Sequence, residues 1–145
     1  MVDRDHVGEL LGKVLEKLRA AGYECNVDLD ELLLYLNAET PYPDIPLEDI
    51  IGNELLLAHE VVEVCELKRM GLKVTRDVIV KHHDKVYEAH LKAAEIEFKL
   101  AEMMGRKDHI KARLRDVEDW CEDPLLPSHL KPECLELLNK YKTYV

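Results

Sequence analysis

The sequence predicts an all-α fold: one domain of five or six helices, organised on a long antiparallel helix pair at about 47–70 and 75–104. Three observations predict it. Apolar residues recur at three- and four-residue steps through most of the chain, which is the repeat of an amphipathic helix. No useful stretch alternates apolar and polar residues as a half-buried strand would. Composition agrees, with only six glycines and six prolines in 145 residues. A chain of this length can bury a single core without disulfides or a structural metal.

Val7, Leu10, Leu11, Val14, Leu15 and Leu18 define a first helix from about residue 5 to 21, and Gly22 is placed to end it in a left-handed turn. Asp28 with Glu31 three residues on reads as a capping box opening a short, strongly apolar second helix. The segment TPYPDIP, residues 40–46, holds three prolines and must be an extended connector. Pro46 suits the first turn of a third helix running to about Met70, and its Glu48 and Asp49 favour the positive end of the dipole. After Gly71 a fourth helix runs from about Thr75 to Met104, some 30 residues or roughly 45 Å at 1.5 Å per residue, and Gly105 ends it. Asp108 is a candidate cap for a fifth helix with Ile110, Leu114, Val117 and Cys121 on its apolar face, and a last helix spans about Pro132 to Tyr141.

Thirty acidic against twenty basic residues give a net charge of -10, which repels a polyanion and disfavours nucleic acid as a partner. The four cysteines, Cys25, Cys65, Cys121 and Cys134, lie far apart without a C-x-x-C pair, so the expectation is free buried thiols in a reducing cytoplasm. The N-terminal stretch is charged and amphipathic rather than an apolar signal core, and no run approaches the roughly 20 apolar residues of a membrane helix. A cytoplasmic protein without membrane contact is expected.

The seam between the third and fourth helices carries the chemistry. On the third helix, His59, Glu60, Glu63 and Glu66 share one arc of roughly 120° in an otherwise apolar surface. On the fourth, Asp77, Lys81, Asp84, Lys85, Glu88, Lys92, Glu95, Lys99 and Glu102 form a solvent strip, while His83, His90 and Glu97 sit at seven-residue spacing in the middle of the apolar face. Polar groups there need partners, hydrogen bonds or a metal. Antiparallel pairing through a short connection sets Glu63 near His83 and His59 near Tyr87, with His90 a turn beyond. The candidate metal ligands are therefore His59, Glu63, His83 and His90, with Glu60 or Glu66 as a catalytic base and Glu97 as a further candidate. Imidazole and carboxylate suit zinc, manganese, iron or magnesium, and a divalent metal there can polarise a phosphate and activate water. The alternative makes His59 and Glu63 surface residues and the other histidines hydrogen-bonded core.

Three motif resemblances bear on this seam. Glu60, Glu63 and Glu66 resemble the first half of the E-x-x-E pattern of MazG-like nucleoside triphosphate pyrophosphatases, which implies magnesium held by acidic side chains; the E-x-x-D half is missing. His59 with His83-Asp84 resembles the H…HD order of HD-type metal phosphohydrolases, for which Asp116 or Asp119 would complete the site. Arg76 and His82 fit the loose R-x4-6-H pattern of HEPN-type helical ribonucleases, which implies RNA cleavage. Position 63 is Glu, so H-E-x-x-H is absent, as are the phosphate-binding glycine loops and G-x-S-x-G.

Three functional readings follow. The first is metal-dependent hydrolysis of a small phosphoester or nucleotide. The second is a non-enzymatic interaction or assembly protein that homodimerises through its long helices. The third is a HEPN-like RNA-cleaving domain acting through Arg76 and His82.

Overall fold

The computed structural model describes residues 3–40 and 46–144, and every regular element among them is helical. Helix α1 spans Arg4–Ala20; the Asp3 carboxylate caps it by accepting from the Asp5 amide, and Val7, Leu11, Val14 and Leu18 bury one stripe. Gly22 follows at φ 84°, a conformation that side-chain-bearing residues rarely adopt. Helix α2, Leu29–Leu36, opens with the expected capping box: the Glu31 amide donates to Asp28 and the Asp28 amide donates to Glu31. The proline-rich connector lies, from 41 to 45, outside the described residues.

The helix expected at 47–70 is two helices. Helix α3, Leu47–Ile51, stops at Gly52, and helix α4, Glu54–Arg69, restarts behind Asn53. The Asn53 side-chain oxygen accepts from the Leu55 and Leu56 amides, so one strong N-cap residue encodes the break. The helix expected at 75–104 also divides. Helix α5, Val78–Lys81, and helix α6, His83–Met103, are separated at His82, whose φ of -121° and ψ of 44° are not helical. Three consecutive β-branched residues, Val78, Ile79 and Val80, weaken that first turn. Helix α7, Lys107–Cys121, begins one residue before its expected cap; Asp108 lies in its first turn and pairs with Arg106. A 3-10 turn at Ser128–Leu130 leads into helix α8, Lys131–Tyr141.

Helix α4 is the centre of the packing. Ten of its sixteen residues are buried, because α6 lies along one side while α1, α2 and α3 cover others. Helix α7 packs on α6, and α8 on α7. Phe98 and Tyr141 meet edge to face at 4.9 Å, which joins the last helix to α6. The charged strip from Asp77 to Glu102 is exposed throughout, as expected of a solvent face. Among the described residues no helix is long and apolar enough to cross a membrane.

The expectation of four free thiols is corrected. Cys25 and Cys65 form a disulfide with their Cα atoms 5.8 Å apart, while Cys121 and Cys134 are free, buried and within 2.8 Å of one another. The pairing is a product of tertiary structure, since the fold brings the α1–α2 loop onto the side of α4. Closing a loop across 40 residues restricts the denatured chain by an amount worth about 4 kcal/mol.

Candidate metal centre

His59 and Glu63 are four residues apart on α4, so they stand one above the other on the face turned to α6. His90 of α6 meets them both. His59 Nε2, Glu63 Oε2 and His90 Nδ1 form a triangle with sides of 2.5, 3.0 and 3.0 Å. Together these residues can hold a metal ion.

Two of the three residues, His59 and Glu63, are braced from behind. His59 Nδ1 donates to Glu97 Oε1 at 2.8 Å, and Glu97, fully buried on α6, also accepts from His109 Nε2 at 2.5 Å and from Arg113 Nε at 2.8 Å. The Tyr35 hydroxyl of α2 donates to Glu63 Oε1. Arg113 completes its fork with bonds to Glu97 Oε1 at 3.1 Å and Asp116 at 2.9 Å. Among the described residues no buried side-chain nitrogen or oxygen lacks a partner, and so a polar cluster in a helical core is tolerable.

The charge states follow from this geometry. Burial pulls His59 toward neutrality, but the Glu63 and Glu97 carboxylates outweigh it and push the imidazole up to about 10. Burial likewise opposes ionisation of Glu63 and Glu97. It loses in both cases, to His59 and His90 at Glu63 and to His109, His59 and Arg113 at Glu97, so both carboxyls stay far below the usual range. His90 goes the other way: burial dominates and lowers it, leaving a neutral imidazole. Glu60, half-buried beside the cluster, is pushed up to about 8 by burial and by the Glu63 charge.

The triangle lies at a cleft of about 650 Å³ lined by Glu60, Tyr87, Trp120 and an acidic group comprising Asp116, Asp119, Glu122 and Asp123. Trp120 packs edge-on to His90 with ring centres 4.2 Å apart, and the Arg113 guanidinium lies 5.2 Å from the indole centre. The donor set fits a transition metal. Two imidazoles and one carboxylate are the ligands of His2Glu zinc sites and of facial-triad iron sites, whereas magnesium prefers oxygen. Tetrahedral bonds of about 2.0–2.1 Å place ligand atoms roughly 3.3 Å apart, about 0.3 Å beyond two of the observed edges and about 0.8 Å beyond the third. A cation held there would take the place of the proton that joins His59 Nε2 to Glu63. The Glu97–His59 bond is the outer carboxylate–histidine contact that orients a ligating imidazole.

The other expected site residues are distributed as follows. Glu60 and His83 both line the cleft, but His83 stands outside the ligand triangle, against Tyr87 at 5.7 Å between ring centres. Glu66 shares the arc of His59 but lies about two turns farther along α4, outside the cleft lining, where it accepts from the Tyr23 hydroxyl and pairs with Arg69 at 2.6 Å. Asp84 is exposed, and Asp116 and Asp119 are on the cleft wall. Arg76 is exposed and pairs with Glu39 at 3.5 Å. The α4–α6 register also departs from expectation. His59 meets His90 and Glu97, about one turn and nearly three turns past Tyr87, because residues 71–82 take a longer path than a tight turn and include α5. Tyr35, His109, Arg113 and Trp120 are site residues that sequence reasoning passed over. His109 and Arg113, four apart beside the apolar stripe of α7, are the one periodic signal that marks them.

These charge states set the pH dependence of the metal-free protein. Glu63 and Glu97, with lowered values, contribute stability above the unfolded value of 4.5 that is lost as pH falls. His59, raised, contributes stability below 6.5 that is lost as pH rises through about 10, and Glu60 subtracts stability as pH rises from 4.5 through about 8. His90, lowered, loses stability as pH falls below 6.5 and offsets the Glu60 decline there, so urea midpoints in chelator should peak near pH 6, and Glu60→Gln should make the decline between 6 and 8 shallower. A midpoint still climbing from pH 6 to 8 in the unsubstituted protein would contradict this charge assignment.

The chain matches no protein-family model, no curated protein and no solved structure.

Proposed function

We propose that the protein is a divalent-metal-dependent hydrolase acting on a small phosphoester or nucleotide. The observation that carries the reading is the convergence of His59 Nε2, Glu63 Oε2 and His90 Nδ1 beside an open cleft. A metal held there supplies a Lewis acid for a phosphoryl oxygen and lowers the pKa of a bound water. The chain's own residues supply the rest. Glu97 fixes the His59 ring so that Nε2 is the nitrogen turned to Glu63 and His90, and Tyr35 holds Glu63 from the other side. Glu60 lines the same cleft, where burial favours its protonated form, and is placed to exchange a proton with a leaving oxygen. The Trp120 and Tyr87 rings on the wall offer apolar surface to a base. The acidic rim repels a bare phosphate and admits it as a complex with a divalent cation.

The test is to strip the purified chain with chelator and titrate it with zinc and manganese. About one equivalent should bind, and saturation at a hundredfold above Kd, worth about 2.7 kcal/mol, should raise the Tm by roughly 5–10 °C. The loaded protein should hydrolyse members of a panel of phosphomonoesters, phosphodiesters and nucleotides that the stripped protein leaves intact. Absence of binding refutes the centre. Binding without turnover across the panel refutes the hydrolase while leaving the metal site.

A further inference from the structure

A second pocket of about 480 Å³ opens on another side of α4. The Cys25–Cys65 disulfide lines it, together with Arg19 of α1, Lys68 and Arg69 of α4, and Glu24. The geometry points to a thiol–disulfide exchange site that accepts a small anionic thiol. This inference is independent of the metal reading, because Cys65 follows Glu63 by two residues and so lies about 200° away around the helix.

Three features carry it. The first is access: Cys25 is only half-buried whereas Cys65 is 4% exposed, so the incoming sulfur meets Cys25. The second is charge. Three cations and one carboxylate line the pocket on a chain whose net charge is -10, so this spot favours an anion against the field of the whole molecule. Glu31 and Glu66, outside the lining, pair with Lys68 at 3.0 Å and Arg69 at 2.6 Å and with Glu24 balance the formal charge, so the preference for an anion rests on Arg19, which has no ion pair among the described residues. The third is the leaving group. Lys68 and Arg69 follow Cys65 by three and four residues on the same helical face and line the same pocket, so the sulfur that leaves does so beside two cations.

The chemistry balances. A thiolate RS⁻ bonds to Cys25 Sγ, the Cys25–Cys65 bond breaks, and its electron pair leaves on Cys65 Sγ. A second RS⁻ attacks the sulfur of the RS group on Cys25, which forms RSSR and frees the Cys25 thiolate. Two thiols are oxidised, one disulfide is reduced, and the two thiol protons end on Cys25 and Cys65. The fold persists through the cycle, since the same loop is also tied to α4 by the Tyr23 hydroxyl on Glu66, by Lys68 Nζ on the Asn26 carbonyl at 2.7 Å, and by Arg69 on the Glu24 carbonyl.

The experiment compares initial rates of reduction of the full chain by 2-mercaptoethanesulfonate and by cysteamine, an anionic and a cationic thiol, at matched thiolate concentration. At about 10 mM salt the sulfonate should be roughly tenfold faster despite the acidic chain, and the ratio should fall toward one near 1 M, where the screening length shrinks to about 3 Å. Arg19→Glu, an exposed change, should lower the low-salt ratio several-fold. Mass spectrometry of the quenched intermediate should find the thiol on Cys25. Equal rates, a faster cationic thiol, a ratio indifferent to Arg19→Glu, or an adduct confined to Cys65 would each overturn the assignment.

Discussion

Replacing Glu97 with alanine should remove a large share of the protein's stability. Its carboxylate is completely buried on α6 and is the shared partner of His59 from α4 and of His109 and Arg113 from α7. Removing it strands charges in the core, and breaking a buried ion pair by deleting one partner costs about 3–5 kcal/mol. A domain of this kind has a total stability of roughly 5–15 kcal/mol. Glu97→Gln keeps an oxygen acceptor but loses the charge, so it should cost about half as much. Exposed Glu102, which accepts from Tyr141 and Tyr144, is the control, and Glu102→Ala should cost about 1–2 kcal/mol, less than the loss at Glu97. Urea midpoints measure all three. A Glu97→Ala midpoint matching that of Glu102→Ala would show that the network adds little to stability.

The second large effect separates His90 from His83. His90→Ala should lower zinc affinity at least about 100-fold, more than the loss from a residue that merely orients a ligand. The fold should survive, since the His90 side chain is 24% exposed toward the cleft and its loss opens into existing space. His83→Ala should leave affinity within about threefold, because that ring stands beside Tyr87 outside the triangle. Competitive chelator titrations give both numbers. Equal losses at the two positions would show that the metal, if bound, sits elsewhere along the cleft.

Legibility in the sequence varies with how local the determining interaction is. The stripe of Val7, Leu11, Val14 and Leu18 announces α1 because amphipathic periodicity is written within a few turns. Helix α4 is recognisable as central from its nearly unbroken apolar surface, and His90 and Glu97 stand out as polar residues on a face that must be buried. The partners of those two residues do not stand out. They depend on the α4–α6 register, which the path of residues 71–82 sets, and on α7, whose His109 and Arg113 look like ordinary members of a charged helix until α7 docks on α6. The break at Asn53 has a local cause that a cap-by-cap reading detects, and so does the weak Val78–Val80 turn. The disulfide has none: cysteines 40 residues apart become neighbours only after α1, α2 and α4 assemble.

The burial of ten of sixteen residues in α4 has a consequence for how this protein can diverge. His59 and Glu63 share that helix with Leu55, Leu57, Val61, Val62 and Val64, so the helix that builds the core also carries two of the three candidate metal ligands. Substitutions there disturb the core and the candidate centre together, which leaves little room to vary either alone. The facing wall is freer. Asp119 and Glu122 are exposed at the end of α7 while still lining the cleft. Descendants of this chain can therefore acquire new ligand preferences by changing that wall while α4 stays nearly constant.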